Sequence, residues 1–166
     1  MQRPNFPYLL AYKPVLIDNK TRKMYPESNP DWEWPMMRTV TVACEVNPKH
    51  LPAVKDCTCG VYLSTDVEAV KQFLEQPVMS VYGRGLFIGI FQVLGNVVQE
   101  GVLLRAQSAF FWGLVKPSNM EQSKWLQLGA LIIQDNQDAD PAMYTHISLA
   151  QDIVEESWDN YDIKHK

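Results

Sequence analysis

The apolar positions of this chain fall mainly into short, strand-like runs. Tyr8–Asp18, YLLAYKPVLID, reads as a strand interrupted by a proline, which places it at a sheet edge. Arg38–Glu45, RTVTVACE, alternates β-branched with other residues and predicts a second strand. Val78–Tyr82 is a further candidate, and the nearly unbroken apolar run Leu86–Leu94, LFIGIFQVL, predicts a buried strand. Val97–Val98 and Val102–Phe111 follow, divided by a turn at Glu100–Gly101, and Gly83-Arg84-Gly85 reads as a hairpin turn. Gly89 and Gly95 inside this region mark bulges or tight bends, which suits a strongly curved sheet.

A helical period emerges three times. Thr65-Asp-Val-Glu68 fits a capping box, Val67, Val70, Phe73 and Leu74 form one face, and Pro77 ends the helix. A second box, Ser118 to Glu121, opens another helix with Gly129 as its C-cap, followed by a short strand at Ala130–Gln134. A third helix begins at Ser148–Gln151 and carries Leu149, Ile153 and Trp158 on one face. The proline-rich segment 25–35 is a loop whose Trp32 and Trp34 read as lids over the core rather than a ligand cage. The fold expected is α+β: a curved antiparallel sheet or small partly closed β-barrel with about three helices and a loop pinned by Cys and His.

With 166 residues, 46% of them hydrophobic, the chain suits one domain with a real core and not a disordered polymer. Residues 1–7 read as an arm and 159–166 as a frayed tail. No apolar run approaches the roughly 20 residues of a membrane-spanning helix, and the N-terminus lacks a signal-peptide pattern. The net charge of −4 is uneven: residues 1–120 carry 12 Lys/Arg against 10 Asp/Glu, residues 121–166 only 3 against 9. An acidic chain gains little from phosphate neutralisation, which argues against duplex nucleic acid. The acidic third reads as a solvated face or, alternatively, as a surface for a basic partner or another protomer. Asp135, Asp138 and Asp140 lack the glycine and distal glutamate of a calcium loop.

The three cysteines, an odd number, argue against a disulfide framework and for a reducing, cytoplasmic setting. All of them fall with one histidine inside 16 residues, as Cys44-x5-His50-x6-Cys57-x-Cys59-Gly60. Three thiolates and an imidazole make a complete tetrahedral set for zinc, and a closed set is structural rather than catalytic. Buried or free thiols, and a redox pair, are the alternatives. A Cys57–Cys59 disulfide would close a strained short ring. The zinc-deaminase, H-E-x-x-H, G-x-S-x-G, P-loop and G-x-G-x-x-G patterns are all absent. Tyr82, Arg84 and Arg105 are candidate anion binders, Tyr62 a candidate pocket residue, and Trp112, in Phe110-Phe111-Trp112, a candidate contact residue.

The stretch Ala43-Cys44, His50-Leu-Pro52, Cys57-Thr-Cys59-Gly60-Val61-Tyr62 resembles a family of small bacterial proteins of unknown function. Members carry A-x-C, then H-x-x-P or H-x-P, then C-x-C-G-[IV]-[YH]-A, and later G-x-V-x-x-W-G-x-V-V and R-A-x-x-A. Gly89, Gly95, Val97, Val98, Arg105, Ala106 and Ala109 fall in that register, so the likeness spans about residues 43–110. Leu63, Leu94 and Leu103 depart from it at the expected Ala, Trp and Gly. The resemblance implies a shared Cys/His site and a β-rich body, and no reaction.

The function expected is a zinc-stabilised binding module acting by protein–protein contact, as a regulator or inhibitor, toward a protein partner or a second copy. An enzyme acting on a small molecule or nucleotide is the alternative. Single-stranded nucleic-acid or modified-base binding is a third reading, and needs aromatic and basic residues on one face.

Overall fold

Among the described residues eight elements follow one another: β1 (Leu9–Asp18), β2 (Met24–Pro26), β3 (Thr39–Thr41), β4 (Val61–Ser64), α1 (Val67–Glu75), β5 (Arg84–Glu100), β6 (Leu103–Val115) and α2 (Gln122–Asp135). The structure is a computed structural model that describes residues 9–35, 38–44, 49–50, 53–54, 56–75, 83–116 and 121–135, the side chains of 73–75, 133 and 135 excepted. The expected arm, the Val78–Tyr82 strand, Tyr82 itself, the Pro77 stop, the Ser118 cap, the acidic loop after Asp135, the third helix and the tail lie outside the described residues.

The hairpin of β5 and β6 is the frame. Its two-residue turn, Gly101–Val102, joins Glu100 to its partner Leu103, and the ladder runs back to Ile88 and Val115. Two register shifts bend it. At the first, Gly95 and Asn96 together oppose Gln107 between the pairs Leu94–Ser108 and Val97–Ala106. Gly95 has φ +74°, so the extra residue sits where a side chain is disfavoured, and the Asn96 N–H is taken up by Gln107 Oε1 at 3.1 Å. At the second, Trp112 is the extra residue between the pairs Ile90–Gly113 and Phe91–Phe111. Phe111 is buried, while Phe110 and Trp112 are half-buried and Trp112 lies against the core. Gly89, by contrast, pairs in normal register with Lys13 and Leu114. Nor is Gly83–Gly85 a hairpin turn, since Arg84 and Gly85 already belong to β5, opposite Asp18 and Ile17.

The first strand is central, which corrects the edge expected from its proline. β1 pairs along its whole length with β5 and, on its other side, with β2 at Val15–Ile17 and with β4 at Tyr12. Pro14 is tolerated because it stands where the partner changes from β4 to β2. Its carbonyl accepts the Glu27 N–H at 3.3 Å on that same side, so the missing N–H costs no bond to β5. β3 and β4 both pair with β6, at Phe110–Ser108 and Ala106–Leu103 respectively. All pairings are antiparallel, and the circuit β1–β5–β6–β4–β1 closes through the single pair Tyr12–Ser64. The sheet is therefore ringed without being a complete barrel.

Lys13 completes the seam. It is 6% exposed, and its ammonium donates to the Tyr62 carbonyl at 3.0 Å. Pro14, opposite Tyr62 in the continued register, has no N–H to offer that carbonyl. Burial brings the Lys13 ammonium down from 10.5 to about 8, against a smaller upward pull from Glu27. A depressed lysine disfavours the charged form in the folded protein. Its penalty is full below about pH 8 and is relieved as pH rises toward 10.5, where the unfolded chain still holds the proton. Between these pH values the native protein should gain about 3 kcal/mol relative to Lys13→Met, read from denaturant melts of both proteins. Parallel pH profiles for the two would contradict this.

The core is aromatic at its centre. Trp34, Phe91 and Phe111 meet edge to face, with centroids 4.9 and 5.6 Å apart, and Trp32 meets Trp34 edge to face at 5.4 Å. Trp34 is thus part of the core and Trp32 its cover. α1 starts one residue later than the expected box. Asp66, not Thr65, caps it by accepting the Glu68 N–H at 2.9 Å, while the Thr65 N–H bonds the Val102 carbonyl. α2 runs straight through Gly129, the expected C-cap, and absorbs the expected strand 130–134. The apolar face Trp125, Leu128 and Ile132 continues across the glycine and outweighs its cost of about 1 kcal/mol. Two helices are seen among the described residues, fewer than the three expected, and none is long and apolar enough to cross a membrane.

Candidate metal centre

The four residues singled out by their spacing converge. Cys44, His50, Cys57 and Cys59 each present one ligand atom, and these atoms lie within 4.8 Å of one another. The Cys44 and Cys57 sulfurs are 3.5 Å apart, and His50 Nε2 is 3.4 Å from the Cys59 sulfur. A tetrahedral zinc with its usual bond lengths requires S···S edges of about 3.8 Å and S···N edges of about 3.6 Å. These two separations are near those edges, and the four atoms stand close enough together to hold a metal ion. Cys44 is buried and the other three are half-buried.

Two strands bring the donors together. Cys44 follows β3, whose last contact is the Val42 N–H on the Gln107 carbonyl at 3.2 Å. Cys57 and Cys59 precede β4. Both strands dock on the same edge of β6, so the intervening chain must double back over that edge. Gly60 makes the return possible. Its φ is +125°, and a Cβ there would stand 3.0 Å from the Ala106 carbonyl oxygen and 3.2 Å from the Ala53 Cβ. The glycine serves the close approach of the loop to β6.

Arg105 holds the arrangement from beneath. It is 6% exposed, and its guanidinium donates to the carbonyls of Cys59 at 2.8 Å and Val54 at 3.1 Å. In the sequence Arg105 reads as a candidate anion binder. In the structure its side chain ties two points of the Cys/His loop to β6. Its signal in the sequence was an arginine inside an apolar strand, but nothing named the carbonyls it would meet.

The thiols do not share one environment. The Cys59 backbone N–H, and next the Cys44 thiol, hold Cys57 below its ordinary value. Burial, and next the neighbouring thiols, push Cys59 up. One thiol of the cluster therefore ionises ahead of the other, and the first negative charge opposes the second until a cation arrives.

The remaining candidates are dispersed. Arg84 lies 3.5 Å over the Tyr25 ring, donates to the Pro30 carbonyl and sits 3.8 Å from Asp18, so it staples the β1–β2 corner. Tyr62 is 41% exposed and bonds the Thr58 carbonyl through its hydroxyl. It lines an open cleft of about 520 Å³ together with Asp56, Cys57, Thr58, Glu100, Leu103 and Arg105. The sequence reading missed this cleft, because Glu100 and Leu103 meet the loop only once the hairpin is folded. Trp112 takes no part in the cleft. Neither family models, nor curated proteins, nor solved structures give any match to this chain.

Proposed function

We propose that the chain is a zinc-stabilised binding module that works in the cytoplasm through protein–protein contact, as a regulator or inhibitor. The observation that carries the metal half is the convergence of four ligand atoms within 4.8 Å, two of the separations being near the edges of a zinc tetrahedron. Zinc is favoured by chemistry: three thiolates and one imidazole are soft and borderline donors, and tetrahedral geometry suits an ion without redox demands. Four protein ligands leave no position for water, which favours a structural role over hydrolysis. Membership of the bacterial family with the A-x-C, H-x-x-P and C-x-C-G motifs is part of the same proposal.

The contact half rests on the surface beside the loop. Tyr62, Val102 and Leu103 are exposed, and Tyr62 and Leu103 share the cleft. The same cleft favours a small molecule as the second reading. Single-stranded nucleic acid loses support, because Arg84 and Arg105 are engaged with backbone carbonyls.

Metal content of the purified protein, with thiol titration before and after a chelator, tests the centre. One zinc per chain with all three thiols protected until chelation is the outcome that fits. Metal-free protein with freely reactive thiols would remove the metal reading, and light scattering would show whether the partner is a second copy.

A further inference from the structure

The three thiols are not equivalent toward an oxidant. Cys57 is half-buried and lines the open cleft, Cys44 is 2% exposed behind it, and their sulfurs are 3.5 Å apart. Cys59 does not line the cleft, and its sulfur sits against His50 Nε2 at 3.4 Å. From this arrangement we infer that Cys57 is an oxidation site for peroxides entering through the cleft, and that Cys44 resolves it as a Cys44–Cys57 disulfide that expels the metal. The inference rests on the metal-centre reading and assigns its chemical sensitivity.

The chemistry balances with a hydroperoxide as the sole oxidant. The Cys57 sulfur attacks the peroxide, forming an S–O bond and breaking the O–O bond, and the departing hydroxide takes a proton to become water. The Cys44 sulfur then attacks Cys57, forming the S–S bond and releasing the sulfenic oxygen as a second hydroxide. Two thiolates lose two electrons and the peroxide gains them. About 1.5 Å of approach separates the pair from a bonded disulfide, so the loop moves little. The pairing differs from Cys57–Cys59, where adjacent positions on one extended segment impose strain. Once Cys44 and Cys57 are joined, only His50 and Cys59 remain as donors, too few to retain zinc in a tetrahedral site.

The test treats the zinc-loaded full chain with hydrogen peroxide, following released zinc with a colorimetric chelator and cross-links by peptide mapping after alkylation. Zinc should leave in step with one Cys44–Cys57 disulfide while Cys59 stays free to alkylate, and dithiothreitol with added zinc should restore the site. In Cys44→Ser the sulfenic acid on Cys57 should persist and be trapped by dimedone. A cross-link through Cys59, sulfinic acid without any disulfide, or zinc retained with unmodified thiols would each overturn the inference. If the reduced protein holds no zinc, the metal reading fails by itself. Peroxide on that metal-free chain then decides the pairing alone, upheld by the Cys44–Cys57 link and refuted by its absence.

Discussion

A strong chelator should take most of this protein's stability with it. Structural zinc supplies on the order of 10 kcal/mol of apparent binding free energy, as much as a small domain's whole margin. The local fold offers little to replace it. β3 has three residues and β4 four, and each is held by β6 on one edge, with β4 gaining only one pair to β1. Strands this short are marginal alone. The expected behaviour is a large fall in melting temperature with chelator, restored by added zinc. Amide exchange in β3 and β4 should rise before the paired centre of β5 and β6 opens. Cys44→Ser should match the chelated protein and no longer respond to the chelator. Unchanged melting after complete metal removal would mean that packing, not coordination, holds the loop.

Removing the guanidinium of Arg105 should be nearly as damaging, by another route. Arg105→Met leaves the Cys59 and Val54 carbonyls without their charged donor in a site that is 6% exposed. Leaving these two buried carbonyls without a donor costs about 1–3 kcal/mol each. Because Cys59 is itself a ligand, the loop loses its orientation, and metal affinity should drop about 10–100-fold, as for other residues that position ligands. Arg105→Lys should fall between, since a single ammonium cannot reach both carbonyls in fork geometry. Competition against a chelator of known affinity, alongside denaturant melts, separates the two effects. An Arg105→Met protein with native metal affinity would show that the loop positions its ligands unaided.

The Cys/His cluster was legible in the sequence because it depends on residue type and local spacing. Cys and His within 16 residues have few ways to be far apart. The curved sheet was legible for a similar reason, since Gly95 and Gly101 signal a bent hairpin locally, although the turn falls at Gly101–Val102, one residue later than the Glu100–Gly101 expected. What failed depended on distant neighbours. Pro14 signals an edge only if its missing N–H faces a partner, and that is decided by where β4 gives way to β2. Arg105 and Arg84 carry the same charge as surface cations, and only the tertiary fold sets backbone carbonyls before them. Gly129 has the propensity of a cap, but the apolar period of α2 continues past it. The Lys13 ammonium was overlooked because its partner, the Tyr62 carbonyl, lies 49 residues away.

The way β3 and β4 dock has a bearing on solubility. They lie end to end along one side of β6, joined by the loop that carries the Cys/His cluster, and together they cover that edge. Lift that cover and residues 103–110, LLRAQSAF, present a bare row of N–H and C=O groups beside largely apolar side chains. Such an edge is a template for another chain. If the Cys/His cluster holds zinc as proposed, it also guards against self-association: a population stripped of its ion would stack strand on strand, long before the rest of the hairpin unravels.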